Sequence, residues 1–408
     1  MKNSPAKNIA LIAILIIIVG SIFYLESQKA RPGSPLPIAT GVEECVPGPN
    51  GSCTTPLQTA VSGGNQSPTG QAPTLQISPE VLAAKEKKYE RYVEITSPSG
   101  FINTDGKSLT IGELVGKKVV MVDFWTYSCI NCQRTLPYLT NWYAKYKDAG
   151  LEIVSIHTPE FEFEKVRENV VKSAEGFGVT YPIVQDNDFG TWRAYGNRYW
   201  PRKYLIDIDG FIVYDHIGEG AYAETEKKIQ ELLAERDQRL GTTNLTSNEI
   251  SVPETAETVD ISKPRTPEIY FGAWRNELFG NGIRFTQGEQ NLSLPATLSQ
   301  NVFYFDGVWD IEREYAENAA AGARIILPYQ AQRVFIVARA DTPVRVKILI
   351  DGKDIPASMR GSDVDKNGYV TIQEDRLYRL VEDSIWGKHT IEIKIESPKL
   401  QVFTFTFG

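Results

Sequence analysis

The feature that most constrains this chain is an apolar run at Val119–Trp125, broken only by Asp123 and separated by three residues from Cys129-Ile130-Asn131-Cys132. A run of that length and composition reads as a strand buried on both faces, so it belongs in a sheet covered by helices on both sides. A helical pattern follows from Cys132, predicted over 132–149. The strand therefore feeds into a helix at the cysteine pair. At a helix N-terminus the free N–H groups and the dipole favour a thiolate over a thiol, which makes Cys129 the attacking sulfur. Cys132 sits one turn in, less exposed, and is placed to resolve a mixed disulfide. The competing readings are a static disulfide or two ligands of a metal site. A metal site lacks partners in this segment, whose only histidines are His157 and His216.

The N-terminus sets the compartment. Lys2 and Lys7 precede an apolar stretch over 9–25. It is at the short limit for a membrane span and longer than most signal-peptide cores. No small-x-small cleavage pattern follows closely, so residues 1–8 read as a cytoplasmic tail and 9–25 as a single transmembrane anchor, with a cleaved signal as the alternative. Either way the remainder is expected to be extracytoplasmic, where disulfides persist. Residues 26–78 are rich in Pro, Gly, Ser, Thr and Gln and read as a flexible linker. Cys45 and Cys53 lie within it and are expected to close a small loop of turn residues. A relay that exchanges with Cys129 is the sharper alternative. The net charge of −8 argues against a nucleic-acid partner.

Residues 79–240 alternate between strand and helix signals. Ser78-Pro79 opens a helix over 79–92. After the redox strand and helix come a strand at 152–158, a helix at 165–174 and a short strand at Ile183–Gln185. A hairpin follows at 203–207 and 211–217 across Asp209-Gly210, then a closing amphipathic helix at 224–239. That order predicts an α/β domain with a mixed sheet flanked by helices. Residues 241–264 read as a second linker. Over 265–408 short strands at 303–305, 323–327, 333–339, Val344–Ile350, 390–395 and 402–407 predict an all-β sandwich.

At this point the chain resembles thioredoxin. Asp123 lies six residues before Cys129, Trp125 four before it and Pro137 eight after it, which are the family's spacings for an acid, a tryptophan and a helix proline. The resemblance implies a thioredoxin-like fold and dithiol exchange. It implies that Asp123, its pKa raised by burial, accepts the proton of Cys132; a surface aspartate at a strand end is the alternative. It also implies that Pro201 is the family's cis-proline and Trp200 the residue at the substrate edge, against an ordinary trans proline opening an edge strand. Two features depart from plain thioredoxin. The dipeptide is Ile130-Asn131 rather than Gly-Pro, and an extra segment at 157–181 resembles the insertion of redoxin-like (TlpA-type) and cytochrome-biogenesis thioredoxins.

A broader resemblance covers 96–408. Phe124-Trp125-Thr126-Tyr127-Ser128-Cys129, His157-Thr158-Pro159-Glu160-Phe161, Tyr195-Gly196-Asn197-Arg198-Tyr199-Trp200-Pro201 and Thr266-Pro267-Glu268-Ile269-Tyr270-Phe271-Gly272 look like the extracytoplasmic part of DipZ-type cytochrome c biogenesis proteins. In that family a jelly-roll domain resembling carbohydrate-binding modules follows the redox domain. The family often carries a multi-helix electron-carrying domain where this chain has one apolar run. The resemblance thus implies a separate membrane thiol-electron donor, exported protein disulfides as substrates, and a carbohydrate as a ligand to consider.

Three further signals are weighed. His157 is expected to face solvent or cap, although it could reach the active face. Residues 363–374 match a calcium loop through Asp363, Asp365, Asn367, Gly368 and Glu374, against a hairpin turn at Lys366-Asn367-Gly368. Trp274, Trp309 and Trp386 are sandwich core or a sugar platform. Two other functions compete. A peroxiredoxin-like peroxidase would use Thr126-x-x-Cys129, but Val122 stands where its proline belongs. An envelope glycan-binding protein with a vestigial redox domain would not need Asp123, both cysteines and Pro201 intact.

Overall fold

The structure, a computed structural model, describes residues 77–408 apart from 245, 246, 258 and 261. The expected anchor, the first linker up to residue 76 and the Cys45–Cys53 loop lie outside the described residues. No described helix is long and apolar enough to cross a membrane.

The first element is α1, Pro79–Lys88, capped by the Ser78 side chain, which accepts the Val81 N–H. Six strands then build one sheet: β1 (Gly100–Ile102), β2 (Val119–Trp125), β3 (Leu151–His157), β4 (Ile183–Gln185), β5 (Arg202–Ile206) and β6 (Ile212–Ile217). Their spatial order is β1-β4-β3-β2-β5-β6. β2, β3 and β4 run parallel, while β5 is antiparallel to β2 and β6 to β5. β2 is therefore central and wholly buried, as its composition requires.

The two faces of β2 follow its period of two. Val120, Val122 and Phe124 join a cluster with Ile156, Tyr204 and Ile206. Val119, Met121 and Trp125 face the other way, into a cluster with Leu136, Leu139 and Trp142 of α2 (Ile130–Tyr146). Asp123 shares this second face by register. The strand thus directs its one carboxylate toward the helix that carries Cys132.

α3 (Arg167–Gly176) is preceded by a 3₁₀ turn at Glu162–Lys165, and α4 (Gly190–Ala194) and α5 (Tyr222–Leu240) complete the layer. β1 and α4, of three and five residues, are too short to leave a periodic signature.

The remaining chain is all-β. Ten strands hydrogen-bond into one continuous sheet. Its longest members span sixteen residues (Arg324–Arg339) and twenty (Arg376–Ile395). The segments at 323–327 and 333–339, expected to be separate, are one strand. Register shifts near Ala331 and Val334 let it bend while it pairs with the strands Arg376–Ile395, Gln401–Phe407 and Tyr304–Ile311. Inside lies an aromatic-rich core in which Trp309 stacks on Phe305 at 3.9 Å.

The α/β and all-β halves share a hydrophobic contact. Phe335, Val337, Leu377 and Phe403 of the all-β half belong to the same buried cluster as Trp125 and Cys132. Phe403 packs edge-on against Phe161 at 5.1 Å and Phe163 at 4.8 Å. Phe403→Ala is expected to lower stability by about 3–5 kcal/mol through the lost burial and the cavity left behind, read as a lower midpoint in denaturant unfolding.

Candidate active site

Cys129 is the N-cap of α2, with extended backbone at φ −76° and ψ 116°. Its Sγ accepts the Cys132 N–H at 3.4 Å, a bond that rewards negative charge on sulfur. Cys129 is partly exposed and Cys132 is buried; both are free thiols. Burial, and then the neighbouring Cys129 sulfur, push the Cys132 thiol well above its ordinary pKa, against a smaller opposing effect of the Thr126 N–H. The exposed sulfur can meet a substrate, and the enclosed one holds its proton until a base takes it.

Asp123 is 1% exposed, and its Oδ1 has no hydrogen-bond partner among the described residues. Burial raises its carboxyl to about 7, and the positive charge of Lys203 limits that rise. A carboxylate with this pKa exchanges protons near neutrality. It also lies within electrostatic range of Cys132. Both properties suit a base for the resolving thiol.

Two buried groups of this site escaped the reading of the sequence. Lys203 sits directly across from Asp123 in the antiparallel β2–β5 pairing. It is fully buried, and its Nζ donates to the Gly218 carbonyl at 3.2 Å. Burial lowers its pKa, and Asp123 and Cys132 oppose that. A lysine at the start of the predicted strand that follows Pro201 was the available signal. Glu164 is the second. Its Oε1 accepts the Ser128 hydroxyl at 2.6 Å and the Ser128 N–H at 3.3 Å, and its Oε2 accepts the Phe161 N–H at 3.0 Å. Burial raises it to about 7, with the Ser128 bond pulling the other way. It pins the residue before Cys129 to the 3₁₀ turn that the all-β half covers.

His157 does not face solvent. It is fully buried, edge-on to Trp125 at 5.1 Å and stacked on Tyr127 at 5.7 Å. Burial lowers its pKa to about 3, so it stays neutral at physiological pH. It ends a parallel strand whose last residue is still inside the sheet, paired with Trp125. Trp125 itself is fully buried beneath the cysteine loop.

The Trp200–Pro201 bond is cis. β5 begins at Arg202, paired with Phe124, so Pro201 lies beside the end of the redox strand. Trp200 is half-buried. Its Nε1 donates to the Thr158 carbonyl at 3.0 Å, and its ring lies 4.2 Å from Trp192. Within the dipeptide, Asn131 Oδ1 accepts from Arg134 at 2.6 Å, and Arg134 also makes a two-pronged pair with Glu219 at 2.7 and 2.9 Å.

The proposed calcium ligands are not brought together. Asp363 is paired to Arg376 at 2.8 Å and accepts the Arg379 N–H at 2.7 Å. Glu374 faces Lys172 and Arg376. Asp365 turns onto the N–H groups of Asn367 and Tyr369, closing a hairpin turn. With all three carboxyl groups tied to protein partners and the backbone in a turn, the arrangement is that of the hairpin weighed beside the calcium loop. Among the described residues one carboxylate cluster does converge, at Asp207, Asp209 and Glu235. Lys85 Nζ already occupies its centre, at 2.7, 2.8 and 2.5 Å. Of the three tryptophans weighed for a sugar platform, Trp309 is core, Trp386 donates to the Pro264 carbonyl and Trp274 is exposed. They form no common face by these contacts.

Residues 78–233 match the redoxin family, and 266–408 match the family described as "Thioredoxin like C-terminal domain". A thiol-disulfide oxidoreductase named ResA from Halalkalibacterium halodurans is 33% identical over 129 residues, covering 32% of this chain and 68% of that protein. The chain belongs to the redoxin-type thioredoxin-like family. Its match to the protein DipZ of Mycobacterium tuberculosis is longer, 37% identical over 314 residues, or 76% of this chain and 42% of DipZ. The chain thus spans less than half the length of that relative. A solved thioredoxin-like protein in its oxidised form aligns over 36% of this chain and 97% of its own, with 27% identity and a TM-score of 0.34.

Proposed function

We propose that this member of the thioredoxin-like family is a membrane-tethered, extracytoplasmic thiol-disulfide oxidoreductase that reduces disulfides of exported proteins. The observation that carries the reading is the division of roles in the pair. Cys129 is accessible at a helix N-cap, and Cys132 is enclosed on the sheet face that also holds the unpartnered Asp123 carboxyl.

The thiolate of Cys129 attacks one sulfur of a substrate disulfide. A Cys129–substrate bond forms, and the other substrate sulfur leaves as a thiolate that takes a proton from water. Asp123 accepts the proton of Cys132. The new thiolate attacks Cys129 Sγ, releasing the second substrate sulfur and closing the Cys129–Cys132 disulfide. Two electrons pass to the substrate. Trp200 and Pro201 supply the edge along which the substrate chain lies, and Trp125 supports the loop from beneath.

Turnover requires a reductant to reopen the enzyme disulfide. We assign that task to a separate membrane thiol-electron donor. The all-β half we read as a jelly roll, and the likeness to DipZ supports a place in cytochrome c biogenesis.

Cys132→Ala tests the scheme, since it permits attack but removes resolution. Reduced variant mixed with insulin is expected to accumulate a covalent adduct at Cys129 that dithiothreitol releases, read by mass spectrometry. Absence of the adduct at full accessibility of Cys129 would remove the exchange mechanism.

A further inference from the structure

One wall of the cysteine loop is not built by the α/β half. A cleft of about 410 Å³ lies beside the dipeptide that follows Cys129, with Ile130 and Asn131 on one side and Lys263, Arg265, Glu268 and Thr406 among others on the other. Its size falls in the usual range for ligand sites, about 300–1,000 Å³. We propose that this cleft receives an acidic stretch of the polypeptide whose disulfide Cys129 attacks, so that the all-β half forms part of the substrate site. The proposal rests on the oxidoreductase reading and names the substrate class for it.

Several donors of the cleft are left free. Thr406 is 4% exposed, and its Oγ1 has no partner among the described residues. A buried hydroxyl in that state carries a penalty of about 1–3 kcal/mol, which an incoming acceptor removes. Asn131 has its Oδ1 fixed by Arg134, so its amide nitrogen is turned to serve as a donor. Lys263 and Arg265 make no ion pair within 4 Å among the described residues. Asp260, the acid in electrostatic range of Lys263, is held by the N–H and hydroxyl of Ser262.

The acid in the lining is already taken. Glu268 accepts the Tyr270 hydroxyl at 2.8 Å and lies in the field of Arg275, which pairs with Glu160 at 2.7 Å. Two unpaired cations and two free donors therefore face the cleft, in a chain whose net charge is −8. With Lys263 and Arg265 against the single carboxylate Glu268, the lining itself carries a surplus of positive charge, which favours carboxylates near the target cysteine and disfavours basic flanks.

The test uses the full chain, reduced beforehand, with three substrates: a peptide disulfide flanked by Glu and Asp, the same peptide flanked by Lys, and a small uncharged aromatic disulfide. Wild type is expected to reduce the acidic peptide at least tenfold better in kcat/KM than the basic one. The double substitution Lys263→Glu, Arg265→Glu is expected to erase or invert that preference, mainly through KM, while reduction of the small disulfide stays within twofold. Thr406→Val is expected to raise KM for the acidic peptide alone. Equal use of both peptides by wild type, or a preference that survives the charge reversal, overturns the cleft assignment. Failure of wild type to reduce the small disulfide overturns the oxidoreductase reading itself, and the cleft assignment with it.

Discussion

Cys129→Ser is expected to abolish disulfide reduction, with a loss of at least about a thousandfold in the initial rate of insulin reduction. The expectation follows from burial rather than from the motif alone. Cys132 is 1% exposed, and its thiol is held well above its ordinary pKa by that burial. It cannot reach a substrate disulfide, and at neutral pH almost none of it is thiolate. No second route for attack exists within the pair. A serine hydroxyl at the cap keeps the hydrogen bond to the Cys132 N–H but is not ionised at any ordinary pH, so the helix start survives and the chemistry does not. Retention of even a tenth of the rate would move the nucleophile to another residue. Thermal unfolding close to that of wild type separates lost chemistry from lost fold.

The parts of the site that were legible in the sequence are those fixed by local pattern. The strand Val119–Trp125 is wholly apolar apart from Asp123, and its buried central position follows from that. The capping cysteine follows from a strand meeting a helix. Alternation puts Asp123 on one face with Met121 and Trp125, but that α2 covers this face shows only in the fold. What stayed hidden depends on pairing across the chain. Lys203 gains its meaning only from the antiparallel register that sets it opposite Asp123, and register is not written in either strand alone. Glu164 is one of three alternating acids in Glu160-Phe161-Glu162-Phe163-Glu164. Its role appears only once the 3₁₀ turn folds it under Ser128.

His157 shows the same limit from the other side. A histidine at the end of a strand ordinarily reaches solvent. Here the strand end is still inside the sheet, with Trp125 as its neighbour and Tyr127 stacked above. The loop at 363–374 shows a limit of a different kind. The oxygen spacing of a calcium site is a pattern of side-chain types, but the backbone there makes a hairpin. The cations Arg376 and Lys172 then claim the carboxylates. Sequence spacing specifies a metal site only when the backbone conformation wraps those positions around one centre.

Asp123→Asn is expected to stabilise the protein at alkaline pH and to slow its resolving step. The Asp123 carboxyl titrates near 7 in the fold, against about 3.9 in an unfolded chain. The folded state thus binds this proton more tightly than the unfolded state. Its stabilising contribution is complete below about pH 4 and is lost as pH rises through 7. Above pH 7 the buried negative charge costs on the order of 4 kcal/mol, an upper figure because local relaxation reduces it. Asparagine keeps the shape and carries no charge at any pH. The variant and wild type are therefore expected to match in denaturant unfolding near pH 4 and to diverge by a few kcal/mol at pH 8, with the variant more stable. The kinetic consequence runs the opposite way. In wild type, decay of the mixed disulfide is expected to accelerate as pH rises toward 7 and then level off, tracking the ionised carboxylate. In Asp123→Asn that decay is expected to be about a hundredfold slower at pH 7.5 and to rise only with direct ionisation of Cys132. A more stable enzyme that resolves more slowly is the signature of a buried base retained for chemistry. Equal stability at pH 8, or a pH profile unchanged by the substitution, would show that Asp123 is neither charged in the fold nor the acceptor of the Cys132 proton.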